Sequence, residues 1–351
     1  MHPFVLLLCF PLAHQVMNFM FSQLESLQGA SMSNLNARDY AHGIEYDGGD
    51  NIVHSGFQNV TMMLAQGLDN LHLGHKVEKV EYKAKRKSEA PSAAAPDAAS
   101  SSSAPKATLQ SLPQVRVFTE KNSLAPIDCH GVVITSSIGV LQSGMTRFVP
   151  ALPAWKQDSI SKIGSGLFNK CVLRFDKTFW PASADYIGYN YGADPPNAED
   201  LSLDSVHATR SNSWFVNYEP VSHVPILIAM MTGPLAEFME TQPDSVVVAE
   251  MMRRLRVMFP DAPSQPVDAL VTRWGADPYS KGSYSYLKKG GSILDFEAVG
   301  APVDDAIFWA GEHTSTDRFG YADGAYVSGQ REAKRIINMY AHLGPQPKSK
   351  L

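Results

Sequence analysis

Cysteine is scarce: Cys9, Cys129 and Cys171 are the only three in 351 residues, widely separated and odd in number. That excludes a disulfide-stapled miniprotein and offers no C-x-x-C metal signature, and it suits reduced thiols. Charge is thin as well, at 19% of residues against about 25% in an ordinary globular chain. The net charge of −5 leaves no broad basic face for phosphates, so nucleic acid is a poor expectation and small cations a better one. Long apolar runs are missing too. The longest, Pro3 to Ala13, is about eleven residues, whereas a membrane span needs about 18 or more. No Lys or Arg precedes that run and no clear cleavage site follows, so a core helix is the expectation rather than a leader. A dinucleotide G-x-G-x-x-G is also lacking. Gly164-Ser165-Gly166 imitates its start, but Asn169 stands at the third glycine and a helix precedes where a strand should, so the glycines are expected to end a helix.

What is present is a 44% hydrophobic chain in which helix and strand patterns interleave, giving an α/β or α+β mixed class with no internal repeat. A helix is expected over Gln58 to Leu68, then strands over Val77 to Tyr82 and from Val115 to Phe118. Between them, 88–107 is nearly all Ala, Ser and Pro and reads as a flexible insertion in a hairpin. Gly131 to Thr135 reads as a strand buried on both faces, followed by a helix from Ala154 to Ile163 and a strand from Asn169 to Phe175. A helix over Ser245 to Met258 has Val246, Val247, Met251, Leu255 and Met258 on its stripe. The last helix is expected to start from Asp323 as N-cap and to bury Tyr326, Gln330, Ala333, Ile336, Ile337 and Tyr340. The chain finishes in Ser349-Lys350-Leu351, a tripeptide that import receptors read as a peroxisomal address.

Several blocks in order carry a resemblance. They are Ile134-Thr135-Ser136-Ser137-Ile138-Gly139-Val140-Leu141, Phe148 to Lys156, and Asn169-Lys170-Cys171-Val172-Leu173-Arg174-Phe175. Arg273-Trp274-Gly275 through Tyr286, Ala310-Gly311-Glu312-His313-Thr314 and Gly324 to Gly329 complete the set. Together, from about residue 13 to 340, they resemble the flavin-containing amine oxidase family, with polyamine oxidases and lysine-specific histone demethylases as nearest relatives. The resemblance implies FAD as cofactor and two interleaved domains. Residues 1–50 and 139–299 would form the substrate-binding domain, 51–138 and 300–343 a partial, Rossmann-like FAD domain, and 344–351 an exposed tail. The pyrophosphate-binding segment of such oxidases would lie upstream of Met1, so the sequence reads as their C-terminal two thirds.

By the same resemblance Lys170 is the catalytic lysine that faces flavin N5 through a water, although a strand lysine is ordinarily solvent-facing. Tyr284 and Tyr321 match an aromatic pair that sandwiches the alkyl amine, and an aromatic at 321 narrows the site in favour of small polyamines over a peptide. Tyr279 and Trp274 would pack near substrate and flavin. Glu312 would approach the FAD sugar and phosphates, Val77 the adenine through its backbone, and Ala322 would offer its N–H to the flavin pyrimidine. Asp323 stands where the family commonly has histidine. No metal is implied. The expected reaction is oxidation of spermine or spermidine by O2 to an aldehyde, a shorter amine and H2O2 in the peroxisome, with an import receptor as protein partner. The alternatives are an inactive remnant acting as a binding partner and a histone demethylase.

Overall fold

The structure, a computed structural model, describes residues 16–17, 19–39, 52–53, 56–83, 114–121, 125–190 and 213–341. The apolar opening run, the 88–107 insertion and Ser349, Lys350 and Leu351 lie outside these residues. Helix α1 covers 19–28 and stops at Gly29, whose φ of +60° is open to glycine at little cost. The expected second helix is α2, Phe57–Ala65, and it has no buried residue.

The expected hairpin forms from β1 (Val77–Tyr82) and β2 (Val115–Thr119), paired antiparallel from Val77↔Thr119 to Tyr82↔Val115. Strand β3 (Ile127–Cys129) continues that sheet. Strand β4 (Val132–Ile134) does not join it, and the expectation of a strand buried on both faces fails: only Ile134 is buried and Val133 is exposed. Ser137 Oγ accepts from Val140 N to cap α3 (Ile138–Ser143), and the chain then returns through β5 (Arg147–Val149), parallel to β1. Helix α4 is Ala154–Lys162.

The glycines expected to stop α4 instead lie within β6, Ile163–Gly166. A Cβ on Gly164 would fall 2.2 Å from the Tyr286 ring, and one on Gly166 2.6 Å from the Gln28 carbonyl. Close approach, not helix termination, demands glycine there.

Next come β7 (Phe168–Arg174), β8 (Tyr186–Tyr189), β9 (Ser213–Asn217) and β10 (Ile226–Thr232). Helices α5 (Gly233–Glu240) and α6 (Asp244–Met258) precede β11, Asp268–Val271. The strands form an antiparallel sheet ordered β11-β7-β10-β9-β8. In β7 burial alternates, with Asn169, Cys171 and Leu173 inward and Phe168, Lys170, Val172 and Arg174 on the other, half-buried face. The inward face packs with Leu227, Ala229, Met231, Leu235, Met251 and Leu255, each side chain the size of leucine contributing about 2 kcal/mol by burial. Val246 leaves the expected α6 stripe and is exposed.

Strand β12 (Tyr284–Leu287) pairs with β6, α7 is Ile293–Gly300, and β13 (Ile307–Trp309) runs parallel to β4. The final helix, α8, is Ala322–Tyr340. Its N-cap is Tyr321, and Asp323 sits inside the first turn, correcting the expected cap. Its buried face is also not the expected apolar stripe: Gly324, Ser328 and Glu332 point inward while Tyr326, Val327 and Ile337 are exposed. Polar groups hold that face. Glu332 pairs with Arg331 at 2.6 Å and Arg335 at 2.9 Å, and Arg331 donates to the carbonyls of Thr314 and Trp309.

Beside this network Lys156 is fully buried, donating from Nζ to the carbonyls of Ala298 (2.9 Å), Val299 (2.7 Å) and Ala301 (2.5 Å) at the end of α7. Its ammonium lies 4.5 Å from the centre of the Trp309 ring. Burial pushes its pKa down to about 7, against the pull of Glu332 and with the repulsion of Arg331 and Arg335.

Candidate functional site

The site grows from the half-buried face of β7. Lys170 is partly covered there, its Nζ 5.6 Å from the centre of the Phe168 ring, and no hydrogen bond or ion pair from the described residues reaches that Nζ. Burial lowers its pKa, since a desolvated ammonium is disfavoured. The backbone beneath it is fixed. Lys170 N donates to Thr272 Oγ1 at 2.8 Å, and Thr272 Oγ1 donates in turn to Asn169 Oδ1 at 3.0 Å.

Asn169, with 1% of its surface exposed, also accepts from Trp274 N at 3.1 Å and donates to Glu240 Oε1 at 2.6 Å. Glu240 accepts further from Gly275 N (2.8 Å) and Ala276 N (2.9 Å). One buried amide and one carboxylate thus tie the loop bearing Trp274 and Tyr279 to the strand bearing Lys170. Both aromatics remain exposed, Tyr279 most.

Phe168 links Lys170 to the tyrosines, its ring centre 6.3 Å from that of Tyr284. Tyr284 follows the Ser283 turn, where Ser283 Oγ accepts from Phe168 N and donates to Phe168 O. Its hydroxyl donates to the Ser26 carbonyl at 2.9 Å, and burial, then the neighbouring Tyr321, raise its pKa. Tyr321 stands half in solvent at the start of α8, with the Arg318 guanidinium 4.0 Å from its ring centre.

Glu312 joins the two tyrosines. Its carboxylate accepts from Ser285 N (3.1 Å), Ser285 Oγ (2.5 Å) and Gly320 N (2.5 Å), the residues next to Tyr284 and Tyr321. Burial raises its pKa against the pull of those three donors. Ala322 is the first residue of α8 and exposed, at the end where helix N–H groups lack internal acceptors.

The fold therefore brings Lys170, Tyr284, Tyr321, Glu312 and Ala322 into one connected set, with Trp274 and Tyr279 on the adjoining loop. Val77 belongs to the separate four-stranded sheet, where its carbonyl accepts from Thr146 Oγ1. No role at the site is expected from the sequence for Ser26, Phe168, Asn169, Thr272, Glu240 or Arg318. Only Asn169 and Phe168 had a signal, as strand neighbours of Lys170; the rest meet the site through contacts distant in sequence. A cavity of about 540 Å3 opens elsewhere, between α3 and α4, and none of these side chains lines it. Among the described residues no His, Cys, Asp and Glu cluster could hold a metal, and no helix is long and apolar enough to cross a membrane.

Residues 14–337 match the family described as Flavin containing amine oxidoreductase. Over 94% of its length the chain is 33% identical to "Lysine-specific histone demethylase 1 homolog 3" of Arabidopsis thaliana, covering 18% of that protein. It is 30% identical to "Polyamine oxidase 2" of Arabidopsis thaliana over 95% of its length, covering 59% of that relative. It thus spans less than two thirds of the length of each of these curated relatives. A solved structure, cyclohexylamine oxidase from Brevibacterium oxydans IH-35A, shares the fold at a TM-score of 0.64 and 17% identity. That likeness covers 92% of this chain and 64% of the oxidase.

Proposed function

Because the chain belongs to the flavin-containing amine oxidoreductase family, we propose that it serves a polyamine oxidase reaction. Spermine- or spermidine-type amines and O2 would give an aldehyde, a shorter amine and hydrogen peroxide. FAD is the cofactor of that family. When bound, FAD supplies the acceptor for a hydride from the carbon beside the amine nitrogen and hands the electrons to dioxygen.

The residues present fit the reactive end of FAD. Lys170 is half-buried with its Nζ unengaged among the described residues, and α8 starts beside Tyr321 with the exposed backbone of Ala322. Among the described residues, Gly164 and Gly166 offer no cradle for the pyrophosphate, because protein atoms already fill the space beside them.

The Tyr284–Tyr321 pair next to Lys170 carries the substrate reading. Tyr284 gives its hydroxyl to Ser26, which leaves the ring to pack on an alkyl chain. Aromatic faces hold such a chain, exclude water and tolerate positive charge further along it. Lys170, its ammonium disfavoured by burial, can hold a water and take or give a proton at Nζ. Tyr321 narrows the entrance against a peptide. Ser349-Lys350-Leu351 supports a peroxisomal location through an import receptor, and hydrogen peroxide is a product that compartment handles.

The test is peroxide release from spermine and spermidine by the FAD-loaded chain. Lys170→Met should lower kcat by about 100-fold or more, the usual scale for a proton-handling group. An unchanged kcat defeats the assignment. Turnover of methylated histone peptides but not of polyamines would favour the demethylase relatives instead.

A further inference from the structure

Glu240 ends a chain of donors that begins beneath Lys170. Lys170 N donates to Thr272 Oγ1 at 2.8 Å, that hydroxyl donates to Asn169 Oδ1 at 3.0 Å, and Asn169 Nδ2 donates to Glu240 Oε1 at 2.6 Å. All three bonds point the same way and the last meets a negative charge, so each polarises and strengthens the next. The direction is forced. Asn169 Oδ1 also accepts from Trp274 N, and a turned amide would set its NH2 against that N–H and its oxygen against the carboxylate. Thr272 holds the lysine backbone twice, since its own N donates to the Lys170 carbonyl at 2.9 Å.

The carboxylate has a second reach. The oxygen that takes Asn169 also accepts from Gly275 N at 2.8 Å, and the other accepts from Ala276 N at 2.9 Å. Gly275 lies so close that a Cβ there would fall 3.2 Å from Glu240 Cδ. The loop beyond closes on itself where Gly282 N donates to Trp274 O at 2.9 Å, so holding its root holds Trp274. Glu240 is the last residue of α5, a helix end whose dipole favours a cation over an acid. A carboxylate there serves the helix poorly and the strand and loop well.

We infer that Glu240 is a positioning residue for the amine reaction: one carboxylate fixes the loop that carries Trp274 against the strand that carries Lys170, and through Asn169 and Thr272 keeps that lysine aligned. The inference rests on the polyamine reading above and deepens it.

Two isosteric variants test it from opposite ends. Glu240→Gln removes the charge and one of the two acceptor oxygens; Thr272→Val removes the hydroxyl that links Lys170 to Asn169. In the FAD-loaded chain each should lower kcat for spermidine by about tenfold, the scale of one charge-assisted hydrogen bond, with KM within about threefold of the parent. Because both cut one chain, the double variant should lose no more than about 20-fold, whereas independent effects would multiply to about 100-fold. Amide hydrogen exchange gives a readout apart from turnover. Glu240→Gln should speed exchange at Gly275 and Ala276 by about tenfold and leave the β10 amides unchanged, and Thr272→Val should leave Gly275 and Ala276 protected. A kcat within about twofold of the parent in Glu240→Gln, multiplying losses in the double variant, or faster exchange across β10 as well would overturn the inference alone. If the parent chain oxidises no polyamine, the polyamine reading falls and takes this inference with it.

Discussion

The five-stranded sheet and the closing helix bury their inner faces in opposite ways. Under β7 and β10 the core is almost wholly apolar, and β7 alternates inward Cys171 and Leu173 with outward Lys170 and Arg174, a pattern visible in the sequence. Under α8 the inward residues are Gly324, Ser328 and Glu332, the neighbours are Arg331, Arg335, His313 and Lys156, and the apolar side chains face out. The first region is stabilised by non-directional burial that tolerates substitution of similar volume; the second depends on each donor meeting its acceptor. The residues of the proposed site lie where the two meet, with Lys170 on the sheet and Ala322 on the helix.

The largest test of this contrast is Lys156→Met. It leaves three carbonyls at the end of α7 without their donor and Glu332 without one of its cations, at an expected cost of about 4 kcal/mol in urea unfolding. Leu173→Ala in the sheet should cost about 3 kcal/mol, so a larger loss there than at Lys156 would reverse the ranking.

A smaller effect comes from acid. His313 is buried, and burial, reinforced by Lys156 and Arg331, pushes its pKa down to about 4. The unfolded chain binds that proton near pH 6.5 and the folded one does not, so stability should fall as pH drops from 6.5 toward 4, by roughly 3 kcal/mol. His313→Gln should flatten that slope in thermal unfolding, and an unchanged slope would place the acid sensitivity elsewhere. Least of all, Ile337→Ser on the exposed side of α8 should shift stability by no more than about 0.5 kcal/mol. A cost near that of Leu173→Ala would mean that this face is covered in solution.

The same contrast explains what could be read in advance. Alternation in Asn169 to Phe175 disclosed β7 because a sheet with one apolar face writes a period of two. In α8 the helical period was detected but its phase was wrong. Assigning hydrophobics inward fails where Ser328 is inside as the acceptor of Gly311 N and Glu332 is inside paired with Arg331, whose guanidinium reaches the carbonyls of Trp309 and Thr314, contacts a local pattern does not contain. Gly164 and Gly166 misled for a related reason: they accommodate Tyr286 and Gln28, both over 100 positions away. Lys170, Tyr284, Tyr321 and Glu312 are proposed for the site only because whole blocks resemble a family; Glu240 and Arg318 belong to none of the residues singled out in those blocks and are placed beside them by geometry.

Ser26 makes one last point. Its carbonyl takes the Tyr284 hydroxyl, and its own hydroxyl accepts from Trp214 Nε1 at 3.1 Å and lies 3.3 Å from that of Thr232. A single small residue on the amino-terminal helix is thereby moored to β9, β10 and β12 at once. Sliding α1 by even one residue must break all three moorings or drag the Tyr284 side chain along, so the aperture of the proposed amine site is gauged by a helix that lends it no side chain of its own chemistry.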